Sequence, residues 1–292
     1  PRAMRSGWDY GCGLDFSEAL RVARDADLVI FSGGFDSAEE FEGTDRSYEL
    51  PYGQAELISA LADVNPNLVV ALRGGGGMAT EKWEARVPAI IFLGYPGQEG
   101  GKALARVISG RVNPSGKLPF SWERRWEECP AYGNYDEKRS ERTVTYAEGV
   151  FGGYRGFDAR GTEPLFPFGH GMGYSTFEYS GLSVEPVKGE RRTFDVTFTI
   201  TNTSAREGAE VAQVYLSDLK SSEPRPVREL KGFDKVTLAP GESRTVTVRI
   251  DSDSFRYFSA GKGKWIVEPG EFEVAAGPSS RELPLKQIFK VK

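Results

Sequence analysis

The spacing of apolar residues changes once along this chain, and that change limits the fold more than any other feature. Three short runs in the first third are apolar throughout: Leu28-Val29-Ile30-Phe31, Leu68-Val69-Val70-Ala71-Leu72 and Ala89-Ile90-Ile91-Phe92-Leu93. Helical spacing surrounds them. Phe16, Ala19, Leu20 and Ala23 define a helix over residues 16–26 with Asp15 as its N-cap, and two more helices are expected over residues 53–63 and 101–109. Strands buried on both faces read as continuous apolar runs, so this first part predicts an α/β sandwich with a mostly parallel sheet and flanking helices. After Tyr179 the pattern becomes strict alternation, in residues 194–200, 211–216, 245–250 and 272–274, with turns at Ala239-Pro240-Gly241 and Glu268-Pro269-Gly270. Half-buried strands at regular intervals predict an antiparallel β-sandwich of about a hundred residues.

Three strands make a thin sheet, and the opening residues (PRAMRSGWDYG) contain neither an initiator Met nor a signal sequence. The expectation is therefore an α/β domain incomplete at its N-terminus, with its first strands supplied upstream. Residues 126–178 are dense in Pro, Gly and aromatics and are expected to form an irregular connector packed between the domains, since disordered linkers are poor in aromatics. The resulting division is 1–125, 126–178 and 179–292.

The formal charge of −5 and pI near 5.3 argue against a nucleic-acid partner, and no apolar run approaches the length of a membrane span. Only Cys12 and Cys129 are present, which excludes a disulfide scaffold and leaves either one bridge or two free thiols.

Loops after the carboxyl ends of parallel strands are where α/β sheets place their ligands. Residues 35–54 (FDSAEEFEGTDRSYELPYGQ) form the longest such loop, with carboxylates at Asp36, Glu39, Glu40 and Glu42 ahead of the pair Asp45-Arg46. The four glycines Gly74 to Gly77 lack the Lys-Ser/Thr that a phosphate loop requires, and Pro96 and Ala103 break the same pattern around Gly100-Gly101-Lys102. They read as tight strand-to-loop turns. The only histidine, His170, has no nucleophile motif near it, and one histidine with two distant cysteines does not make a zinc site. Carboxylate chemistry remains. Glu42 precedes Gly43, where the backbone can pass close to a ligand, and follows Phe41, an apolar neighbour able to raise a carboxyl pKa. Arg46 paired with Glu42 would lower that pKa, so Asp45 and Arg46 are assigned to bracing the loop, and Glu42 is the candidate catalyst against the plainer reading of a solvated loop glutamate.

At these residues the chain resembles glycoside hydrolase family 3. Four blocks carry the likeness: Glu42-Gly43-Thr44-Asp45-Arg46 with Leu50-Pro51 and Gln54; residues 95–101 (YPGQEGG); residues 112–119 (VNPSGKLP); and residues 164–171 (PLFPFGHG). Residues 230–233 (LKGF) and 239–242 (APGE) resemble that family's fibronectin-III-like domain. The resemblance implies a retaining β-glycosidase, most simply a β-glucosidase, acting on a β-glucoside or oligosaccharide without cofactor or metal. Glu42 would be its general acid/base, and an aspartate on a TIM barrel its nucleophile. This chain contains no barrel, which would come from a second chain or an uncut precursor, so the chain alone is expected to be inactive. Thr44 and Arg73-Gly74-Gly75 depart from the family's usual residues. β-Xylosidase or α-L-arabinofuranosidase activity is the alternative within the family, and a non-catalytic carbohydrate-binding or scaffold module the alternative outside it. A homodimer is a further open assembly.

Overall fold

The computed structural model describes residues 14–43, 45–134 and 143–292, which form two compact units. The first extends to Ile108 and takes in Arg124–Trp126; the second holds Ser109–Glu123 and Glu127–Lys292. The opening residues 1–11, Cys12 and Thr44 lie outside the described residues, whereas Cys129 carries a free thiol.

The first unit contains α1 (Ser17–Arg24), β1 (Val29–Gly34), α2 (Gln54–Val64), β2 (Leu68–Arg73), β3 (Ala89–Phe92) and α3 (Gly100–Ile108). Its three strands are parallel in the order β1-β2-β3, with Phe31, Val70 and Ile90 in register. Continuous apolarity has its expected consequence in the middle strand, where Leu68, Val70, Ala71 and Leu72 are fully buried. Each such large aliphatic side chain contributes on the order of 1.5–3 kcal/mol. Leu57, Ile58 and Leu61 give α2 one buried stripe, and that helix packs on β1 and β2. The Asn65 side chain donates to Ala23 O at 2.8 Å and Ala26 O at 2.7 Å, tying the end of α2 to the end of α1. Cover is less complete elsewhere: Ile30 in β1 is 47% exposed, and all four residues of β3 are only half-buried.

One local detail differs from the sequence expectation. The N-cap position of α1 is Phe16, which makes no side-chain capping bond. Asp15 stands one residue further out, and its carboxylate accepts the Ser17 N–H at 2.9 Å. The aspartate thus satisfies an open helix-start donor from a neighbouring position.

The second unit begins with irregular chain and α4 (Tyr154–Arg160), followed by β4 (Phe177–Pro186), β5 (Phe194–Asn202), β6 (Gly208–Asp218), β7 (Glu229–Leu238) and β8 (Ser243–Ile250). The hairpin strands β9 (Tyr257–Ser259) and β10 (Lys264–Ile266) come next, then β11 (Gly270–Gly277) and β12 (Leu285–Val291). Two antiparallel sheets, β4-β5-β8 and β12-β11-β6-β7, make up the sandwich. Alternation decides what lies between them: Val196, Phe198 and Ile200 from β5, Val246 and Ile250 from β8, Val214 and Leu216 from β6, and Phe272 and Val274 from β11 are all buried. Strands β4 and β7 do not announce themselves by alternation, because each pairing contains an irregularity. The register shifts between Ser180 and Ser183 on β4, and opposite β7 it shifts between Val214 and Tyr215. A bulge moves the following side chains to the other face and breaks the two-residue period.

The compact units part at Ile108, ahead of position 125 where the sequence places the end of the α/β domain, because residues 109–123 are tied into the second unit. Leu118 N donates to His170 O at 2.8 Å and Gly169 N to Leu118 O at 2.8 Å. Asn113 donates to Ser175 Oγ and Glu207 O at 2.8 Å each and accepts the Tyr174 N–H at 2.7 Å. Lys117 pairs with Glu210 of β6 at 2.9 Å. A Cβ at Gly171 would lie 2.1 Å from Gly116 O, so that crossing admits only glycine. In α4, buried Asp158 faces Arg228 at 3.1 Å and Arg281 at 2.6 Å.

Two stability outcomes follow. Gln54 is 5% exposed, and its side-chain amide accepts the Gly34 N–H at 2.7 Å and donates to Gly34 O at 2.9 Å. Replacing it in Gln54→Leu leaves both backbone groups without partners and should cost about 2–4 kcal/mol, read as a fall in the denaturation midpoint of the chain. Asp158→Ala removes the carboxylate shared by two guanidinium groups, leaving Arg228 with Ser280 O and Arg281 with Thr162 O and Glu163, and should cost about 3 kcal/mol. A midpoint unchanged from wild type would show that water replaces the carboxylate.

Candidate active-site loop

The three parallel strands deliver three loops to one edge of the sheet. The first starts at Gly34, whose φ of 105° and close approach to Arg73 O, 2.0 Å from an added Cβ, exclude any side chain. Phe35 N then donates to Arg73 O at 3.0 Å. Asp36 turns the chain at once: its carboxylate accepts the Ala38 N–H at 2.8 Å, and its carbonyl accepts the Glu39 and Glu40 N–H groups at 3.0 and 2.9 Å. The turn brings Glu40 back over the sheet edge, where its side chain is 18% exposed.

Glu40 meets Arg46 there. Arg46 Nε donates to Glu40 Oε1 at 2.8 Å, its two terminal nitrogens donate to Gly77 O at 2.7 Å and Ser47 O at 3.0 Å, and its guanidinium lies 4.2 Å above the Phe35 ring. The loop after β2 joins through Gly75, whose N–H lies 3.2 and 3.3 Å from the two Glu40 oxygens. The loop after β3 brings the Tyr95 hydroxyl to the same junction, where it and Glu40 Oε1 both flank Gly75, although Tyr95 as a whole is 69% exposed. Burial pushes the Glu40 carboxyl up. The Tyr95 hydroxyl, the Gly75 N–H and Arg46 together outweigh it and hold the group below its ordinary value of 4.5. Burial and Glu40 likewise raise the Tyr95 phenol.

The glycine run has a concrete use here. A Cβ at Gly75 would lie 2.7 Å from the Tyr95 hydroxyl and 3.1 Å from Glu40 Oε1, so a side chain would intrude on this junction. Behind it, Ala79 N donates to Tyr48 O at 2.9 Å, and the Tyr48 ring stacks on Trp126 at 5.4 Å.

Glu42 stands on the crest of the first loop and is exposed. Among the described residues no side chain hydrogen-bonds or ion-pairs with its carboxylate, since the guanidinium of Arg46, four residues on, is taken by Glu40. Phe41 beside it is 54% exposed and presents an open apolar ring. Gly43 adopts φ 82° with no atom within 4 Å of an added Cβ, so its left-handed backbone is what calls for glycine. Asp45 is exposed and has no described partner, unlike Arg46. Sequence reasoning missed Glu40 as the partner of Arg46, the link to Tyr95 and the double bond of Gln54 to Gly34. Only Gln54 carried a signal, through its place in the first block of the resemblance.

In the second unit, His170 stacks on Phe166 at 5.3 Å, and burial and Lys117 lower its pKa. Among the described residues no three His, Cys, Asp or Glu side chains converge as a metal site.

The model of the glycosyl hydrolase family 3 C-terminal domain matches residues 13–174, and that of a fibronectin type III-like domain matches residues 210–280. Thermostable β-glucosidase B of Acetivibrio thermocellus is 40% identical over 284 residues, which cover 96% of this chain and 37% of the relative. An exo-α-(1→6)-L-arabinopyranosidase of Bifidobacterium breve is 41% identical over 268 residues, 91% of this chain and 35% of the relative. The crystal structure of a family 3 β-glucosidase from Bifidobacterium adolescentis superposes with a TM-score of 0.90 at 38% identity, covering 97% of this chain and 42% of that one. The chain thus spans little more than a third of the length of the curated relatives it matches. With more than half of its residues matched by the model of one family's C-terminal domain, and relatives this similar over nearly its whole length, the chain belongs to glycoside hydrolase family 3.

Proposed function

We propose that this chain is the acid/base half of a retaining β-glycosidase, a β-glucosidase in the first instance, with Glu42 as the general acid/base. The observation that carries the reading is the contrast within one loop. Arg46 and Glu40 are locked together, while Glu42 projects from the same loop with no described partner. A group that must give up and regain a proton in each cycle needs that freedom, and Arg46 bound to Glu42 would remove it. Arg46 braces the loop by tying it to Gly77 and Phe35. Asp45, exposed and without a described partner, braces nothing that the structure describes.

In the proposed cycle Glu42 protonates the glycosidic oxygen as its bond to the anomeric carbon breaks, and a carboxylate nucleophile takes that carbon. Glu42, now ionised, then removes a proton from the water that displaces the nucleophile. The nucleophile belongs to a TIM-barrel domain outside this chain, on a second chain or the uncut precursor. The half-buried β3 and the exposed Val22, Leu28 and Ile30 support further polypeptide lying against the first unit. A second reading concerns the sugar alone. Relatives of equal similarity bear β-glucosidase and arabinopyranosidase names, which supports sugar selection by residues outside this chain.

Three measurements test this. In the intact natural protein, Glu42→Ala should lower turnover of cellobiose by about 10²–10⁴. The same variant should keep the first step on activated aryl glycosides and regain turnover with azide, giving a glycosyl azide of retained configuration; undiminished cellobiose hydrolysis would leave the non-catalytic module as the better account. The chain by itself should release no nitrophenol from aryl β-glucosides, and measurable release would mean that it holds a nucleophile of its own.

A further inference from the structure

We propose that Glu40 is a positioning residue: its carboxylate, by joining the ends of all three parallel strands, fixes where Glu42 stands. This rests on Glu42 being the acid/base. The bond from Arg46 Nε to Glu40 Oε1 at 2.8 Å closes residues 40–46 into a small loop, and Glu42 lies two positions from the closing bond. Arg46 anchors that loop to Gly77 O and the Phe35 ring, and Glu40 anchors it to Gly75 N, beside the Tyr95 hydroxyl and on the loop that Gly74 N ties to Gly94 O at 3.3 Å. Every anchor is on a loop held directly by a strand, so displacement of any one is resisted by the other two. Charge-assisted hydrogen bonds at mostly buried groups are the strongest the loop has available, since solvent screens them little.

Glu40 is not itself the acid. Its oxygens already accept from Arg46 Nε and Gly75 N, and these donors favour the ionised form, whereas a general acid must carry a proton at working pH. Glu42, two residues away on the same loop, is exposed and has no described partner. Two glutamates of one short loop are thus divided into one held by its neighbours and one exposed with no described partner.

The consequence is a particular kinetic signature. A sugar leaving group departs as a strongly basic alkoxide unless it is protonated, whereas dinitrophenolate needs no proton. Misplacing the acid by about 1 Å costs on the order of 10²-fold. In the intact natural protein Glu40→Ala should therefore lower kcat/KM for cellobiose about 10²-fold and leave kcat/KM for a dinitrophenyl glycoside little changed. Glu40→Gln keeps an acceptor oxygen and the side-chain volume and should fall between wild type and Glu40→Ala on cellobiose. A residue acting only through Glu42 adds nothing once Glu42 is gone, so the double variant Glu40→Ala/Glu42→Ala should be no slower than Glu42→Ala. Equal losses on both substrates, or additive losses in the double variant, would overturn the positioning role in favour of a structural one. If Glu40→Ala does not fold, the same substrate comparison made on Glu40→Gln decides. Full cellobiose activity in Glu42→Ala would instead bring down the acid/base reading, and the positioning role with it. Wild-type behaviour of Glu40→Ala beside an inactive Glu42→Ala would sink the positioning role alone.

Discussion

Three parallel strands end at one edge of a small sheet, and one ion pair ties the loop after the first strand to the loop after the second. Glu40 and Arg46 are mostly buried and lie 2.8 Å apart, with Phe35 beneath the guanidinium, Gly75 and Tyr95 on the carboxylate and Gly77 on the far side of the arginine. A pair taken out of water stabilises a structure only when its remaining hydrogen-bonding capacity is used, and here backbone groups and a phenol use it. The same condition makes the glycine run necessary, because Gly75 reaches the carboxylate with its N–H only while nothing occupies the place of its side chain.

The two units are stabilised by different means. In the first, the central strand lies buried and the cover thins toward β3. The second has an extensive apolar core and also holds ionic groups where irregular chain meets the sandwich, at Lys117–Glu210 and at Asp158 between Arg228 and Arg281. Two blocks far apart in sequence, around Leu118 and His170, form one ladder through their backbones. Their dense Pro and Gly content suits this arrangement, in which segments approach backbone to backbone, as at Gly171 over Gly116.

Much of this architecture was legible in the residues alone, for identifiable reasons. Uniform apolarity marks β2 because the strand is covered on both faces, and alternation marks β5, β6, β8 and β11 because each has one face in the core. Where a bulge interrupts the period, as in β4 and beside β7, the signal is lost, and the short β9–β10 hairpin has too few residues to show one. The loop itself was legible as a concentration of carboxylates. Glu42 stood out as the candidate there, but the hold on Glu40 did not, because it depends on which carboxylate the Asp36 turn directs toward Arg46, and that is a property of three loops folded together. Sequence order puts Asp45 and Arg46 side by side, yet only the arginine reaches a described partner.

Gln54 closes the long loop in a way that separates its ends from its length. One primary amide on the first turn of α2 grips both polar groups of Gly34, so the departure of the chain from β1 and its entry into α2 are set by the same residue. Residues between the two ends can then be added or removed at a cost that grows only slowly with loop length. The rim of the loop is thus free to vary in length and residue type while its two ends stay where this amide puts them.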